Sequence, residues 1–254
     1  MLLKVSVITV CYNSADYIES AIQSVVAQTY ADIEYIIVDG GSCDGTKEII
    51  KSYGKAVAHF VSEPDKGIYD AMNKGLSLAT GEVIGLLNSD DFYPRVDVIT
   101  DVVRIFVGCP KNEIVLGNVD FVNPNNLLKP IRLFSSFKFS PWKMRFGFSP
   151  AHPAAFMRRA VYQKVGKYDS SYRIGADFEW FVRAFVVHKI GYVFLNKVIV
   201  RMREGGVSTS GVVSYWISSR ELLHALRENG VYSNWVFVLM RLPIKLIHKL
   251  LRKG

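Results

Sequence analysis

Residues 82–94 read EVIGLLNSDDFYP. A short apolar run ends abruptly, and two adjacent carboxylates, Asp90 and Asp91, follow it. At about 4 Å and an effective dielectric near 20, two unit charges repel by roughly 4 kcal/mol. Water, backbone N–H groups or a cation has to offset that repulsion. The run itself reads as a buried strand, so the acids stand at a strand's carboxyl end.

Upstream, two periods alternate. VSVITVCY (5–12) reads as a first buried strand. In the next segment Ile18, Ala21, Ile22, Val25 and Val26 fall at i, i+3, i+4, i+7 and i+8, one face of a helix. Ser14 or Asp16 can cap it, and Asp16 with Glu19 has capping-box spacing. IEYIIVD (33–39) is a second strand, KEIIKSY (47–53) a short helix and AHFVSE (58–63) a third strand. GIYDAMNKGLSLAT (67–80) is a helix leading into the strand at 82–87. Strands alternating with helices across short turns predict βαβ units, an α/β chain with a mostly parallel sheet.

Downstream the pattern loosens. Residues 97–108 read as a helix and 113–122 as a strand, while the stretch from Pro124 to Pro150 shows no clear period. Then come a strand and helix over 151–166, a helix over 175–191, one or two strands over 192–202 and a helix over 214–229. The organisation expected is one domain, 1–230, with halves 1–91 and 92–230, followed by an extension, 231–254.

Composition narrows the function. Half of the 254 residues are hydrophobic, with 15 Phe and 13 Tyr, enough for a sizeable core and against disorder. Three cysteines without a CxxC favour a reducing compartment and no metal–thiolate site. No segment has the length of uncharged apolar residues that a transmembrane helix needs, and the N-terminal run lacks a signal-peptide pattern. The net charge is +8, yet residues 241–254 hold five Lys or Arg and no acid. That local bias points to a partner of the tail and not to a nucleic-acid-binding fold.

In an open parallel sheet, ligands bind outside the carboxyl ends of the strands. Three polar clusters fall there: CYN (11–13), DGGS (39–42) and NSDD (88–91). Each alone could be turn chemistry; together, with the Asp pair, they mark a site. No GxGxxG follows the first strand, and no GxxxxGK[ST] loop is present. The five His show no zinc spacing. Carboxylates suit a hard cation such as Mg²⁺ or Mn²⁺, which one or two carboxylates hold together with substrate phosphates.

VSVITVCYN, IEYIIVDGGSCDGT, EPDKGIYDAMNKGLSLATGEVIGLLNSDD and IGADFEW resemble the family-2 glycosyltransferases over roughly residues 4 to 205. The likeness is to bacterial members that build exopolysaccharide, capsule or O-antigen. It implies a GT-A fold: an α/β, mostly parallel, Rossmann-like sheet flanked by helices, here with a basic amphipathic helical extension. It also implies roles. Tyr12 packs beside the base of a UDP-, GDP- or dTDP-sugar donor, and Asp39 accepts a hydrogen bond from that base. Asp65, Lys66, Gly67 and Asn73 line the donor pocket. Asp91 ligates the metal, Mg²⁺ or Mn²⁺, and Asp90 holds the ribose or shares the metal. Asp177 sits where the family keeps its catalytic base.

Departures from the pattern matter. Gly40 replaces a second Asp, Ser89 stands where a strict DxD would begin, and Ala176 replaces a Glu before Asp177. The QxxRW motif of processive synthases is absent, so one sugar is expected per encounter. Glu179 is a near alternative to Asp177, but two helical residues apart means about 200° around the helix. His152 is a candidate for acceptor or metal contact. Arg201 and Arg203, before a Gly pair, are candidates for a loop closing over the diphosphate.

The tail carries its own reading. Arg241, Lys245, His248, Lys249, Arg252 and Lys253 gather on one side of a helical wheel, and Ile244, Leu246, Ile247, Leu250 and Leu251 on the other. A basic amphipathic helix reads as an anionic-membrane element. It fits a saccharide acceptor carried on a polyprenyl diphosphate and a peripheral place on the cytoplasmic inner face of the cell membrane. Two other functions compete: a non-catalytic nucleotide-sugar-binding component of a polysaccharide assembly complex, supported by Gly40 and Ala176, and a sugar nucleotidyltransferase. The latter wants a Gly-rich, Arg- or Lys-bearing loop after the first strand, and CYNSADY has none.

Overall fold

The computed structural model describes residues 3–205 and 211–241. The tail from residue 242 on, and the segment 206–210 that follows the Arg-bearing stretch, lie outside the described residues. Among the described residues nine strands form one sheet.

Its first half is parallel. β1 (Val5–Cys11) lies between β2 (Ile33–Asp39) and β4 (Val83–Asn88), with β3 (His59–Ser62) beyond β2. Every residue of β1 is buried, because helices cover both faces of the sheet. The strand period of two divides the core. Val5, Val7, Tyr35 and Ile37 pack on one face with α1 (Ile18–Val26) and α4 (Val98–Gly108). Ile8, Val10, Ile36 and Val38 pack on the other with α3 (Ile68–Leu78). α2 (Thr46–Ser52) completes the second crossover.

The spacing that predicts α1 holds for Ile18, Ala21, Ile22 and Val25, which are buried, but Val26 is exposed. Tyr17 is the N-cap residue, and neither Ser14 nor Asp16 caps the helix with a side chain. The Ser14 hydroxyl is engaged instead with the end of β4, as described below.

Past Asn88 the sheet is mixed, because the chain returns through short strands and a hairpin. β8 (Ala155–Arg158) runs antiparallel to β4 and to β6 (Ile114–Asn123). β9 (Tyr192–Arg203) runs parallel to β6, and the two-residue β5 (Asp91–Phe92) pairs antiparallel with the end of β9. β7 (Asn126–Phe134) forms a hairpin on β6 inside the stretch that shows no period in the sequence. It has no period because neither face is buried: Leu128 is 85% exposed. The helix expected over 175–191 is α6 (Ala176–Val182) running into a π-helical turn, Arg183–Val187. α5 (Arg159–Val165), α7 (Gly211–Glu228) and α8 (Trp235–Leu239) complete the fold. No helix among the described residues is long and apolar enough to cross a membrane.

Gly85 sits where the sheet changes direction, paired with Phe156. A Cβ at this position would lie 2.3 Å from the Phe156 ring. Gly85→Ala is therefore expected to cost about 1–3 kcal/mol through overpacking. The reading is a lower urea midpoint at unchanged m-value; an unchanged midpoint shows that the ring moves aside freely.

Candidate active site

Register places the three polar clusters together. Cys11 pairs with Asp39, and Val10 with Asn88, so β1, β2 and β4 end level with one another. The turns beyond are laced: the Asn13 amide donates to Ser42 Oγ at 2.7 Å, the Ser14 amide to Thr46 Oγ1 at 2.8 Å and the Ala15 amide to Asp44 at 3.0 Å. The Ser14 and Ser89 hydroxyls meet at 2.9 Å, joining the ends of β1 and β4.

Asp39 forms the floor. It has no exposed surface, and its carboxylate accepts from the Gly41 and Ser42 amides and from the Ser42 and Ser62 hydroxyls. Burial pushes its acid up, but these donors outweigh burial and hold it below the ordinary value. For a base to reach Asp39, one hydroxyl has to give way. Above it, Tyr12 is 63% exposed. A Cβ at Gly40 would lie 2.5 Å from Asp65 Oδ2 and 3.3 Å from the Tyr12 ring. The Asp65 carboxylate thus takes up the space that a side chain at position 40 would need. Its other oxygen accepts from the Gly67 amide at 2.8 Å, and Gly67, at φ 114°, turns the chain into α3. Lys66 is exposed on this turn. Asn73 has a different task from the one expected. Its amide pairs in both directions with the backbone of Tyr168, at 2.8 and 2.9 Å, and ties α3 to the chain ahead of α6.

The acid pair splits. Asp91, in β5, is fully buried; Asn88 Nδ2 donates to one oxygen at 3.0 Å, and the other has no partner. Asn88 Oδ1 is likewise buried and unpartnered. Burial, then the neighbouring Asp90, drives the Asp91 acid well above its usual range. Asp90 is half-buried. Burial raises its acid too, against its own amide and the charges of Arg203 and His152. At the opposite end of the sheet Glu34 shows what a buried carboxylate needs. Lys4, Ser6 and the amide and hydroxyl of Thr80 all donate to it; they outweigh burial and hold its pKa at about 2.

Asp177 lies in the first turn of α6, half-buried. Its Oδ1 accepts from the Phe178 amide at 2.8 Å, with the Tyr69 hydroxyl at 3.4 Å. Its Oδ2 faces His152 Nδ1 at 3.7 Å. Burial lowers the His152 pKa against the pull of both Asp177 and Asp90, and its Nε2 is buried without a partner. This imidazole therefore places the two carboxylates in one electrostatic neighbourhood. Glu179 is buried in a two-pronged ion pair with Arg183, both contacts at 2.7 Å, and is not available as a base.

Two assignments change. Arg201 and Arg203 stand in β9 and not on a loop. Arg203 is buried; it donates to the Asp90 carbonyl and, at 2.8 Å, to Ser20 Oγ, and stacks over Tyr17 and Phe92. It is a strut under the acid pair. Arg201 donates to the Leu127 carbonyl at 3.2 Å and lines a different cavity, of about 360 Å³, with Arg95, Asp120 and Lys197. Glu221, on α7, is a residue that sequence reading misses. Its carboxylate accepts from the amides of Arg173, Ile174 and Gly175, at 2.8–2.9 Å, and so holds the turn that presents Asp177. The separation of 46 positions between Glu221 and Gly175 leaves no local signal of this contact.

Residues 6–166 match the family described as "Glycosyl transferase family 2". An uncharacterized glycosyltransferase of Mycobacterium tuberculosis is 36% identical over 186 residues, 72% of this chain and 69% of that protein. A "PGL/p-HBAD biosynthesis glycosyltransferase" of Mycobacterium bovis is 28% identical over 211 residues, covering 81% and 79%. Staphylococcus aureus TarS 1–349, solved with UDP-GlcNAc, superposes with a TM-score of 0.69 at 19% identity, covering 88% of this chain and 66% of that one. The mannosyltransferase PcManGT of Pyrobaculum calidifontis, solved with GDP-Man and Mn²⁺, gives 0.65 at 20% identity, covering 90% and 64%. The chain belongs to glycosyltransferase family 2, and its fold is the curled, helix-flanked sheet of GT-A glycosyltransferases.

Charge-assisted hydrogen bonds contribute roughly 1.5–3 kcal/mol each. Glu221→Ala removes three and should lower stability by more than Glu221→Gln, whose one oxygen can still accept from the Ile174 and Gly175 amides. Urea unfolding of the two variants measures it, and equal losses show that only side-chain packing is involved.

Proposed function

We propose that this chain transfers one sugar per encounter from a nucleotide-sugar donor to a hydroxyl of a saccharide acceptor, with metal dependence and inversion of the anomeric carbon. The observation that carries the reading is the Asp90–His152–Asp177 neighbourhood at the carboxyl edge of β1, β2 and β4. Tyr12 offers its exposed face to the base, and Asp65 is the carboxylate that a base meets first, with Asp39 beneath it. Lys66 and Gly67 flank the same turn, with Lys66 placed to meet phosphate.

No group of three or more His, Cys, Asp or Glu among the described residues is arranged to hold a metal. A Mg²⁺-type cation is typically held by one or two carboxylates together with substrate phosphates. The half-exposed carboxylate of Asp90 suits such a hard cation, and the neighbouring oxygens Asn88 Oδ1 and Asp91 Oδ1 are buried without a partner. Because Asp91 is sealed and Asp90 half-exposed, the direct contact is assigned to Asp90, with Asp91 as buried support. When bound, Mg²⁺ or Mn²⁺ supplies neutralisation of charge on the leaving diphosphate.

The chain's own residues do the rest. Asp177 Oδ2 is the oxygen left to take the acceptor's proton, since Oδ1 is held by the Phe178 amide. Its work as general base is worth about 10²–10⁴-fold. The Phe178 amide fixes the carboxylate's orientation, and His152 borders Oδ2 at 3.7 Å. In-line displacement by the acceptor oxygen inverts the anomeric centre.

The non-catalytic alternative loses one of its supports, because Asp65 fills the space beside Gly40. The nucleotidyltransferase alternative wants a Gly-rich, basic loop after β1; that turn is instead laced by Ser42, Asp44 and Thr46. The donors bound in TarS and PcManGT support a UDP- or GDP-sugar, with dTDP-sugars equally accommodated by a carboxylate that accepts from the base. The basic, acid-free tail (241–254) supports an acceptor held at a membrane, here assigned to a saccharide on a polyprenyl diphosphate at the inner membrane face. The basic tail, 242–254, is assigned to the anionic surface of that membrane. Arg241, counted with the tail's basic side from sequence, is buried and donates to Ser219 Oγ at 2.7 Å, so it anchors the tail's start to α7.

Asp177→Asn should bind donor as the parent does and lose transfer by about 10²–10⁴-fold. Asp90→Asn should lose the metal dependence of donor binding while its far-ultraviolet circular dichroism is unchanged. Undiminished transfer by Asp177→Asn overturns the reading.

A further inference from the structure

α8 carries no charged residue, and only one side of it faces the protein. Val238 is fully buried, while Val236 is 67% and Met240 43% exposed. Trp235 and Phe237 flank this outer strip. On one flank Trp235 meets Trp216 of α7, ring centres 5.6 Å apart, and Trp216 is itself 54% exposed. On the other, Phe237 stacks on Phe146 at 4.8 Å, and Phe146 meets Trp142 at 5.9 Å. Trp142 is 60% exposed, with the Lys143 ammonium over its ring. The result is one continuous aromatic and aliphatic face from Trp216 to Trp142. Monomeric surfaces rarely leave such a face uncovered without a partner.

Charge selects the partner. The chain has no Asp or Glu between Asp120 and Asp169, and none after Glu228. These two acid-free stretches supply α8 and the turn that bears Trp142. The Lys143 ammonium lies over the Trp142 ring, with Lys138 and Arg145 near it in sequence, and the chain leaves the face at Arg241 into a tail with four more Lys or Arg and no acid. Tryptophan and tyrosine with a ring of Lys and Arg are the side chains that sit at a lipid headgroup boundary, where apolar bodies bury and cations meet anionic lipid.

We propose that this face, and not the tail alone, seats the protein on an anionic lipid bilayer. α7 connects the seat to the chemistry. Trp216 in the face and Glu221 under the Asp177 turn are five residues apart, ~7.5 Å along one helix. A seated face therefore sets the height of the base above the bilayer. The proposal draws its purpose from the lipid-linked reading of the acceptor, but seating is measured without donor or acceptor, so either can fail alone.

The test is co-sedimentation of the full chain with vesicles of phosphatidylcholine containing about one third phosphatidylglycerol, followed by tryptophan emission. The parent should bind with a blue shift. Val236→Glu/Met240→Glu, with the tail intact, should lower the partition coefficient at least 10-fold, and Trp142→Ala should lower it in the same direction. Both changes lie at exposed positions, and unchanged circular dichroism confirms folding. Parent-like partitioning of the double variant overturns the proposal. So does a parent that sediments as a dimer and a double variant that sediments as a monomer, which makes the face an interface between copies.

Discussion

Everything at the functional edge depends on three parallel strands ending level. The pairing of β1 with β2 and β4 fixes Cys11 beside Asp39 and Val10 beside Asn88. Once the backbones stop together, their last side chains have to share one small volume. Asp39 solves that problem internally with four donors. Asp90 and Asp91 do not. Glu34, at the other end of the same strands, shows that the fold can satisfy a buried carboxylate where it has no other use for it. The contrast is the strongest physical argument that the carboxyl edge is built for something outside the chain.

The parallel half was legible because it obeys simple periods. Helix faces and buried strands over residues 5–88 lie where the sequence places them, and the three polar clusters share an edge as expected. What was hidden has two causes: exposure, which leaves no hydrophobic period, and contacts between residues far apart in sequence. β7 carries no hydrophobic period because it is an exposed hairpin arm. Glu221 reads as an ordinary helical acid until its three amide partners are seen. Asn73 reads as a pocket residue, but pairs with the backbone at Tyr168. Arg201 and Arg203 read as a mobile loop beside a Gly pair, yet they belong to β9, where Arg203 is buried against the Asp90 carbonyl.

Burial also redistributes roles within motifs that sequence treats as units. In the acid pair, the second carboxylate is sealed and the first is half-buried. In DGGS, the missing side chain at Gly40 is matched by Asp65 from another turn. The site is thus assembled from chain segments that compensate for one another. α7 extends that assembly outward, holding the Asp177 turn with one residue and an exposed aromatic face with another.

The most direct test of the central claim is the thermal stability of the protein with UDP, GDP or dTDP, in Mn²⁺ and in EDTA. A ligand at 100 times its dissociation constant adds about 2.7 kcal/mol of stability. The account predicts that at least one diphosphate raises Tm in Mn²⁺ and that EDTA removes most of the shift. A shift of the same size in EDTA, or none with any nucleotide, contradicts it.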